Sequence, residues 1–146
     1  SGPPAAPGTG QPAPGGDPKQ ERAEYDRAFR LLQQAHYKQA TEAFQGFLDR
    51  YPASEYADNA RYWLGETSYV MRDLPAALED FNRLLTDYPA SRKVPDAMLK
   101  IGYIHAERKE WDRARTVLEE LERNHPGTTA ARLAKERLEA LSRDGH

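Results

Sequence analysis

Small and apolar residues recur along this chain every 37 positions, through three consecutive copies. Four columns of the repeat hold small, aliphatic or aromatic residues, and a fifth holds an aromatic residue or histidine followed by proline. The columns are Ala28, Gly65 and Gly102; Tyr37, Leu74 and Trp111; Ala40, Ala77 and Ala114; Phe44, Phe81 and Leu118; and Tyr51-Pro52, Tyr88-Pro89 and His125-Pro126. A period of this length is typical of solenoids, whose units bury their apolar faces only by stacking on one another.

Each copy predicts a pair of antiparallel helices, because its apolar positions are spaced three or four residues apart. Ser54, Ser91 and Thr128 each stand two residues after a proline, where a hydroxyl can accept a hydrogen bond from a free helix amide. Asp17 before Pro18 predicts the start of the first helix in the same way. The predicted helices are 18–35 with 38–50, 55–71 with 75–87, 92–108 with 112–124, and a last helix, 129–142, that caps the open end.

The order of these positions resembles the tetratricopeptide repeat, in which small residues at a helix crossing are followed by a large apolar residue and a proline. The predicted fold is all-α, with three tetratricopeptide-type helix hairpins and a C-terminal capping helix in a right-handed superhelix with a concave groove. The domain is predicted to span residues 17–142, and residues 143–146 are predicted to form a tail. The period exceeds the usual length of about 34 residues, and we expect the extra residues to add a helical turn at the start of each first helix.

The first copy is predicted to be the N-terminal end of the solenoid. The first helix of the second copy carries Leu64, Thr67 and Met71 on the side that faces the preceding repeat, and the first copy has Arg27, Arg30 and Gln34 there. Before this copy, residues 1–16 contain only Ser, Gly, Pro, Ala, Thr and Gln. Such a composition cannot bury enough apolar area to offset chain entropy. We therefore expect residues 1–16 to be a disordered Pro/Gly-rich linker and the isolated domain to be a monomer.

The composition argues against several classes of function. The chain has 21 Lys and Arg against 23 Asp and Glu, a formal net charge of -2, whereas nucleic-acid binding needs a concentrated basic face. No apolar run approaches the roughly 20 residues of a membrane span, and the absence of Cys removes thiolate metal sites. The four His lack metal-ligand spacing, and no phosphate-binding loop or nucleophile elbow occurs. We expect no nucleic-acid partner, no membrane insertion, no cofactor or metal, and no enzymatic activity.

A helical projection places aromatic and polar side chains on the face of the first helices that is opposite their packing face. The candidate partner-binding residues are Tyr25, Phe29, Asn59, Tyr62, Trp63, Glu66, Tyr69, Lys100, Tyr103 and Glu107. First helices line the concave side of such a superhelix, so this face is predicted to bind a partner through aromatic anchors and polar contacts. Trp63 is the strongest candidate, because Trp is enriched among interface hot spots. The alternative is that these aromatic residues pack within the solenoid, with Tyr62 or Tyr69 buried against the next repeat.

Three segments of the chain resemble the C-terminal domain of the YbgF/CpoB proteins of the bacterial Tol-Pal system. They are NARYWLGE at 59–66, PDAMLKIGY at 95–103 and AARLAKERL at 130–138, and the resemblance covers roughly residues 22–141. It implies a periplasmic protein whose precursor has a signal peptide and whose full-length form is trimeric through an N-terminal coiled coil. It also implies binding to TolA and to a peptidoglycan synthase, and coordination of peptidoglycan synthesis with outer-membrane constriction in cell division.

Two other functions remain open from the sequence. The domain could be a structural or self-assembly module whose aromatic face packs on a second copy. It could also be an outer-membrane assembly scaffold, because outer-membrane lipoproteins of the BamD type use similar long repeats with Tyr-Pro-x-Ser junctions.

Overall fold

The computed structural model describes residues 17–146, which form seven α-helices and no strand. The helices are α1 (Pro18–Gln33), α2 (Tyr37–Arg50), α3 (Ala57–Val70), α4 (Leu74–Asp87), α5 (Val94–Glu107), α6 (Trp111–Asn124) and α7 (Thr129–Arg143). Every boundary agrees with the predicted one to within two residues. The predicted linker, residues 1–16, lies outside the described residues.

The helices pack as three successive hairpins and a cap. The hairpins are α1 with α2, α3 with α4, and α5 with α6. They stack through contacts of α2 with α3 and of α4 with α5, and α7 packs on both α5 and α6. Arg27, Arg30 and Gln34 are exposed, as expected for a solenoid end at the first copy.

The repeated small residues lie where the two helices of a hairpin cross. Ala40, Ala77 and Ala114 are completely buried. A Cβ atom added to Gly65 would lie 2.8 Å from the ring of Phe81, so the side chain of α4 occupies the space that a larger residue on α3 would need. These close approaches join the helices of each hairpin into one core.

The predicted N-caps of the second and third copies are wrong. The hydroxyls of Ser54 and Ser91 accept hydrogen bonds of 3.0 Å from the amides of Tyr56 and Lys93, and α3 and α5 begin only at Ala57 and Val94. These serines organise a turn before the helix, because short-range hydroxyl bonds to the backbone compete with helical ones. The extra residues of the repeat therefore lie in this turn and not in an additional helical turn. Thr128 does cap α7, since its hydroxyl accepts from the Ala131 amide at 3.0 Å.

The turn after each first helix contains a residue in the left-handed conformation, and none of the three is glycine. Ala35, Arg72 and Lys109 have φ of 63, 64 and 61°, and they are also spaced by 37 positions. At the first of them, Ala35 N–H donates to Leu32 O and His36 N–H donates to Leu31 O, both at 2.9 Å. This is the Schellman arrangement that ends helices. Each first helix is thus stopped by the same backbone geometry.

The predicted tail at 143–146 is part of the fold. Arg143 ends α7, and the ring of His146 stacks on Trp111 with centroids 3.8 Å apart and planes 10° apart. The Arg115 guanidinium donates to His146 O at 2.6 Å. The last residues therefore fold back onto α6, and Trp111 packs as its place in the repeat predicts. By contrast Met71, expected to pack on the first copy, is 48% exposed, because it lies beyond the end of α3.

Candidate partner-binding face

The candidate residues lie on α1, α3 and α5, the first helices of the three hairpins. We use the name first-helix face for the surface formed by the ten candidate residues together with Tyr56, Lys93 and Arg137, which contact them. Most of the ten are half-buried, and Glu107 is exposed.

Equivalent residues of successive copies form one row of contacts along this face. Phe29 packs on Trp63, with ring centroids 5.2 Å apart. One repeat later the same positions are Glu66 and Lys100, whose carboxylate and ammonium lie 3.2 Å apart. One repeat further, the guanidinium of Arg137 lies 4.1 Å from the ring centroid of Tyr103. The row thus changes from an aromatic pair to an ion pair to a cation–π pair.

A second row runs beside the first. Tyr25 stacks on Tyr56 with centroids 5.2 Å apart. One repeat later the equivalent positions are Tyr62 and Lys93, and the Lys93 ammonium lies 4.8 Å from the ring centroid of Tyr62. The aromatic character of the face is therefore concentrated at the junction of the first and second hairpins.

Trp63 is the residue on which these contacts converge. It touches Phe29, meets the ring of Tyr62 edge-on at 5.1 Å, and has the Lys93 ammonium 4.9 Å from its ring centroid. It packs against two buried clusters, one formed by α1, α2 and part of α3 and the other by the remainder of α3 with α4 to α7. The part of the indole that stays accessible is consequently held in a fixed position.

Tyr62 does not belong to the accessible face, and its assignment as a partner contact is wrong. Only 7% of this residue is exposed, because Phe81 of α4 packs on its ring at 5.5 Å and the Lys93 side chain covers it from the next repeat. Burial raises the pKa of Tyr62 above its usual range, as do the nearby carboxylates of Glu66 and Asp96. The burial of this ring agrees with the alternative interpretation, in which the aromatic residue packs within the solenoid.

Tyr69 and Glu107 meet at the other end of α3. The Tyr69 hydroxyl donates to the Glu107 carboxylate, which also accepts from Arg72. Burial, followed by the bond to Glu107, raises the pKa of Tyr69 to about 12. Partial burial raises the pKa of Glu107, but the bonds from Tyr69 and Arg72 outweigh it and hold the pKa below 4.5. This cluster joins the second and third hairpins.

Asn59 and Tyr25 lie at the start of the face. Burial raises the pKa of Tyr25, and polar contacts with Trp63 and then Asn59 oppose the shift. Asn59 is half-buried in the first turn of α3.

The sequence reasoning missed Tyr56, Lys93 and Arg137. Tyr56 and Lys93 fall within the predicted helices 55–71 and 92–108 but were not assigned to the candidate face, and in the structure they stand in the turns before α3 and α5. Arg137 is on the cap helix. The spacing could have indicated Lys93, since it precedes Asp96 by three positions and Lys100 by seven and therefore lies on the same side of the helix.

Several clefts of the domain lie away from this face. One of about 310 Å³ lies between α2 and α4 beside the Arg61–Asp80 ion pair, whose charged atoms are 2.8 Å apart. Among residues 17–146, no cluster of three His, Cys, Asp or Glu side chains has the geometry of a metal site. Within the same range, none of the helices is both long and apolar enough to span a membrane.

Comparisons with known proteins agree with this architecture. A family model described as outer membrane lipoprotein, YfiO, matches residues 17–106, and a tetratricopeptide repeat model matches residues 96–128. The cell division coordinator CpoB of Pseudomonas putida is 48% identical over 67 residues, which are 46% of this chain and 24% of that protein. CpoB of Escherichia coli K12 is 43% identical over 47 residues, 32% of this chain and 18% of that protein. The match thus spans about a quarter or less of these curated relatives, and it confirms the resemblance found from the sequence.

Solved structures confirm the all-α tetratricopeptide fold. The type III secretion chaperone SycD of Yersinia enterocolitica, in complex with a peptide of the translocator YopD, superposes with a TM-score of 0.75 at 15% identity, covering 88% of this chain and 96% of that one. The first tetratricopeptide domain of Spaghetti (RPAP3), bound to an HSP90 peptide, gives 0.70 at 15% identity, covering 88% and 94%.

Proposed function

We propose that this chain is a non-enzymatic interaction scaffold whose first-helix face binds a segment of a partner protein. The chain belongs to the outer membrane lipoprotein family YfiO, whose model matches residues 17–106. The proposal is consistent with the peptide complexes of the structural neighbours, although at their low identity those proteins inform only the fold.

The observation that carries the proposal is the aromatic junction between the first two hairpins. Phe29, Trp63 and Tyr25 are half-buried, so each keeps accessible ring area while neighbouring rings hold it in place. Rigid aromatic side chains lose little conformational entropy on binding and supply a large share of interface energy. A partner side chain that packs on this junction would therefore be bound by a preorganised surface.

The name of the curated relatives, cell division coordinator, supports a role for the scaffold in cell division. We propose that the partner is TolA, that a peptidoglycan synthase is a further partner, and that the protein acts in the periplasm. Its role would be to coordinate peptidoglycan synthesis with outer-membrane constriction. In the full-length protein, three such domains would be held together by the N-terminal coiled coil that the resemblance implies.

A calorimetric titration of the chain with the periplasmic segment of TolA tests this proposal. Trp63→Ala should weaken binding by about 2 kcal/mol or more, since a desolvated aromatic anchor carries a disproportionate share of the energy. Trp111→Ala removes the same side chain from α6, outside the first-helix face, and should leave the affinity unchanged. Because Trp63 also packs on both core clusters, each variant is first checked for helical content and melting temperature. Equal losses from the two variants would place the binding site elsewhere.

The description of the family model favours a second candidate, an outer-membrane assembly scaffold. It differs from the first in its partner and not in its binding face. Capture of outer-membrane assembly components from an envelope extract, with no retention of TolA, would favour this second function.

A further inference from the structure

Lys93 is a cation held against the aromatic junction without a counter-charge. Its ammonium lies 4.8 Å from the ring centroid of Tyr62 and 4.9 Å from that of Trp63. Throughout residues 17–146, no carboxylate forms an ion pair with Lys93, whereas on the same face Lys100 is paired with Glu66 and Arg72 with Glu107. Lys93 is therefore a cation at the junction that no ion pair among residues 17–146 neutralises.

The fold does not require a cation at this position. The equivalent residue of the first copy is Tyr56, which packs on Tyr25 as Lys93 packs on Tyr62. The two residues occupy the same turn, and each receives a backbone constraint from the preceding serine. An aromatic ring thus satisfies the packing, and the lysine adds only a positive charge beside Trp63.

We propose that this junction recognises a partner segment in which an acidic side chain stands directly beside an aromatic or large aliphatic one. The apolar side chain packs on Phe29 and Trp63, and the carboxylate accepts a hydrogen bond from the Lys93 ammonium. This inference rests on the proposed function and adds to it the chemistry of the bound segment. Charge complementarity favours such a ligand, because half-burial of the lysine strengthens its attraction for a carboxylate relative to a fully solvated pair.

The other charges near the junction define what competes with the ligand. The Asp58 carboxylate accepts from the Ser91 hydroxyl at 2.6 Å, and Glu66 is occupied by Lys100. Asp96, one turn after Lys93 on α5, has no ion-pair partner among the described residues and acts on the same Tyr62 ring. A carboxylate ligand should be attracted by Lys93 and weakly repelled by Asp58 and Asp96, neither of which has an ion-pair partner among the described residues.

Two dipeptide probes isolate the charge of the ligand. N-acetyl-Phe-Glu-amide and N-acetyl-Phe-Gln-amide have nearly the same shape and differ in one negative charge. Binding is followed by the indole N–H signals in two-dimensional ¹H–¹⁵N spectra of the whole chain, which has two tryptophans. The Trp63 signal should move while the Trp111 signal stays in place, and the Glu probe should bind about threefold to fivefold more tightly than the Gln probe, as a partly exposed ion pair does.

Variants assign the discrimination to Lys93. Lys93→Gln should abolish the preference for the Glu probe, and so should Lys93→Tyr, which copies Tyr56 and keeps the aromatic packing. Lys109→Gln, in the turn before α6, should leave the preference unchanged, and Asp96→Asn should increase it. Circular dichroism should show the same helical content for all four.

Several results would overturn the inference. They are equal affinity for the two probes, no movement of the Trp63 signal with either probe, or a preference that survives in Lys93→Gln. A failure of the proposed function can be told apart from a failure of this inference. If Trp63→Ala loses TolA binding and Lys93→Gln does not, the scaffold function is supported and the acidic ligand is refuted. If Trp63→Ala leaves TolA binding unchanged, the first-helix face is not the binding site.

Discussion

Replacing Gly102 with alanine tests the close helix crossing on which the repeat depends. Gly102 lies in the middle of α5 and is buried against α6. A Cβ atom at this position would lie 2.4 Å and 2.7 Å from two carbon atoms of the Leu118 side chain. Real Cβ contacts are not that short, so α5 or Leu118 must shift.

Two opposing contributions set the expected size of the effect. Alanine favours a helix over glycine by about 0.8–1 kcal/mol. Overpacking a tight core costs about 1–3 kcal/mol. The overpacking term should win, and Gly102→Ala should lower the free energy of unfolding by about 1 kcal/mol. In a domain of this size that corresponds to a melting temperature lower by about 4 °C.

The assay is thermal and urea unfolding followed by circular dichroism. Gly46→Ala is the matched control, because a Cβ atom there meets nothing closer than 3.7 Å, the guanidinium of Arg50. This variant should gain about 0.5–1 kcal/mol from helix propensity alone. In a Leu118→Ala background, which itself costs about 2–5 kcal/mol, Gly102→Ala should become stabilising. If Gly102→Ala raises the stability of the unaltered domain as Gly46→Ala does, the small residue at the crossing is not there for packing.

Two further predictions concern the turns and the pH dependence of stability. Ala35→Gly should raise the free energy of unfolding by about 1 kcal/mol, because Ala35 has a φ of 63° that glycine adopts without strain. The control Ala23→Gly, within α1, should lower the free energy of unfolding by a similar amount. Urea titrations in which both variants change stability in the same direction would contradict this. The pKa of Glu107 is raised by partial burial but lowered more by its hydrogen bonds, and lies below 4.5, so its contribution to stability is present above pH 4.5 and is lost as the pH falls through the lowered value. Glu107→Gln should therefore lose less stability than the unaltered chain between about pH 5 and pH 3. The control Glu139→Gln, on α7, should behave like the unaltered chain. Identical profiles of melting temperature against pH for all three proteins would show that Glu107 does not contribute to the pH dependence of stability.

The sequence was sufficient to predict the helices and the positions at which they cross, because the 37-residue period marks both. The columns at a spacing of 37 positions mark where the helices of each hairpin cross, and the structure buries Ala40, Ala77 and Ala114 completely. Helix ends were predicted to within two residues, and the caps Asp17 and Thr128 were predicted correctly, but the caps of α3 and α5 were not. A serine two residues after a proline suits both a helix cap and a preceding turn, and only the backbone path decides between them.

The left-handed residues after the first helices had no compositional signal. Glycine usually marks such positions, and Ala35, Arg72 and Lys109 give no such mark. The same pair of backbone hydrogen bonds recurs at all three positions and accompanies the left-handed residue, and a non-glycine residue type does not reveal it.

The candidate face could be located from the sequence, but its contacts could not. A helical wheel gives the side of each first helix separately and does not say which residue of the next copy comes opposite. In the structure that offset is 34 positions for one row of contacts, as in Glu66 with Lys100. Residues assigned as free polar contacts are therefore already paired with one another, and Tyr62 is covered by Lys93.

The row of equivalent contacts explains why binding should be concentrated at one junction of a nearly regular solenoid. The repeat determines which two positions come into contact, and the residue types at those positions differ from one copy to the next. At the junction of the second and third hairpins, Glu66 and Lys100 satisfy each other, so a ligand there would have to break an ion pair with atoms 3.2 Å apart. At the junction of the first two, Phe29 and Trp63 present apolar area that no internal charge pair occupies. Desolvating such rings costs little, and that difference favours the first junction as the place where a partner segment is bound.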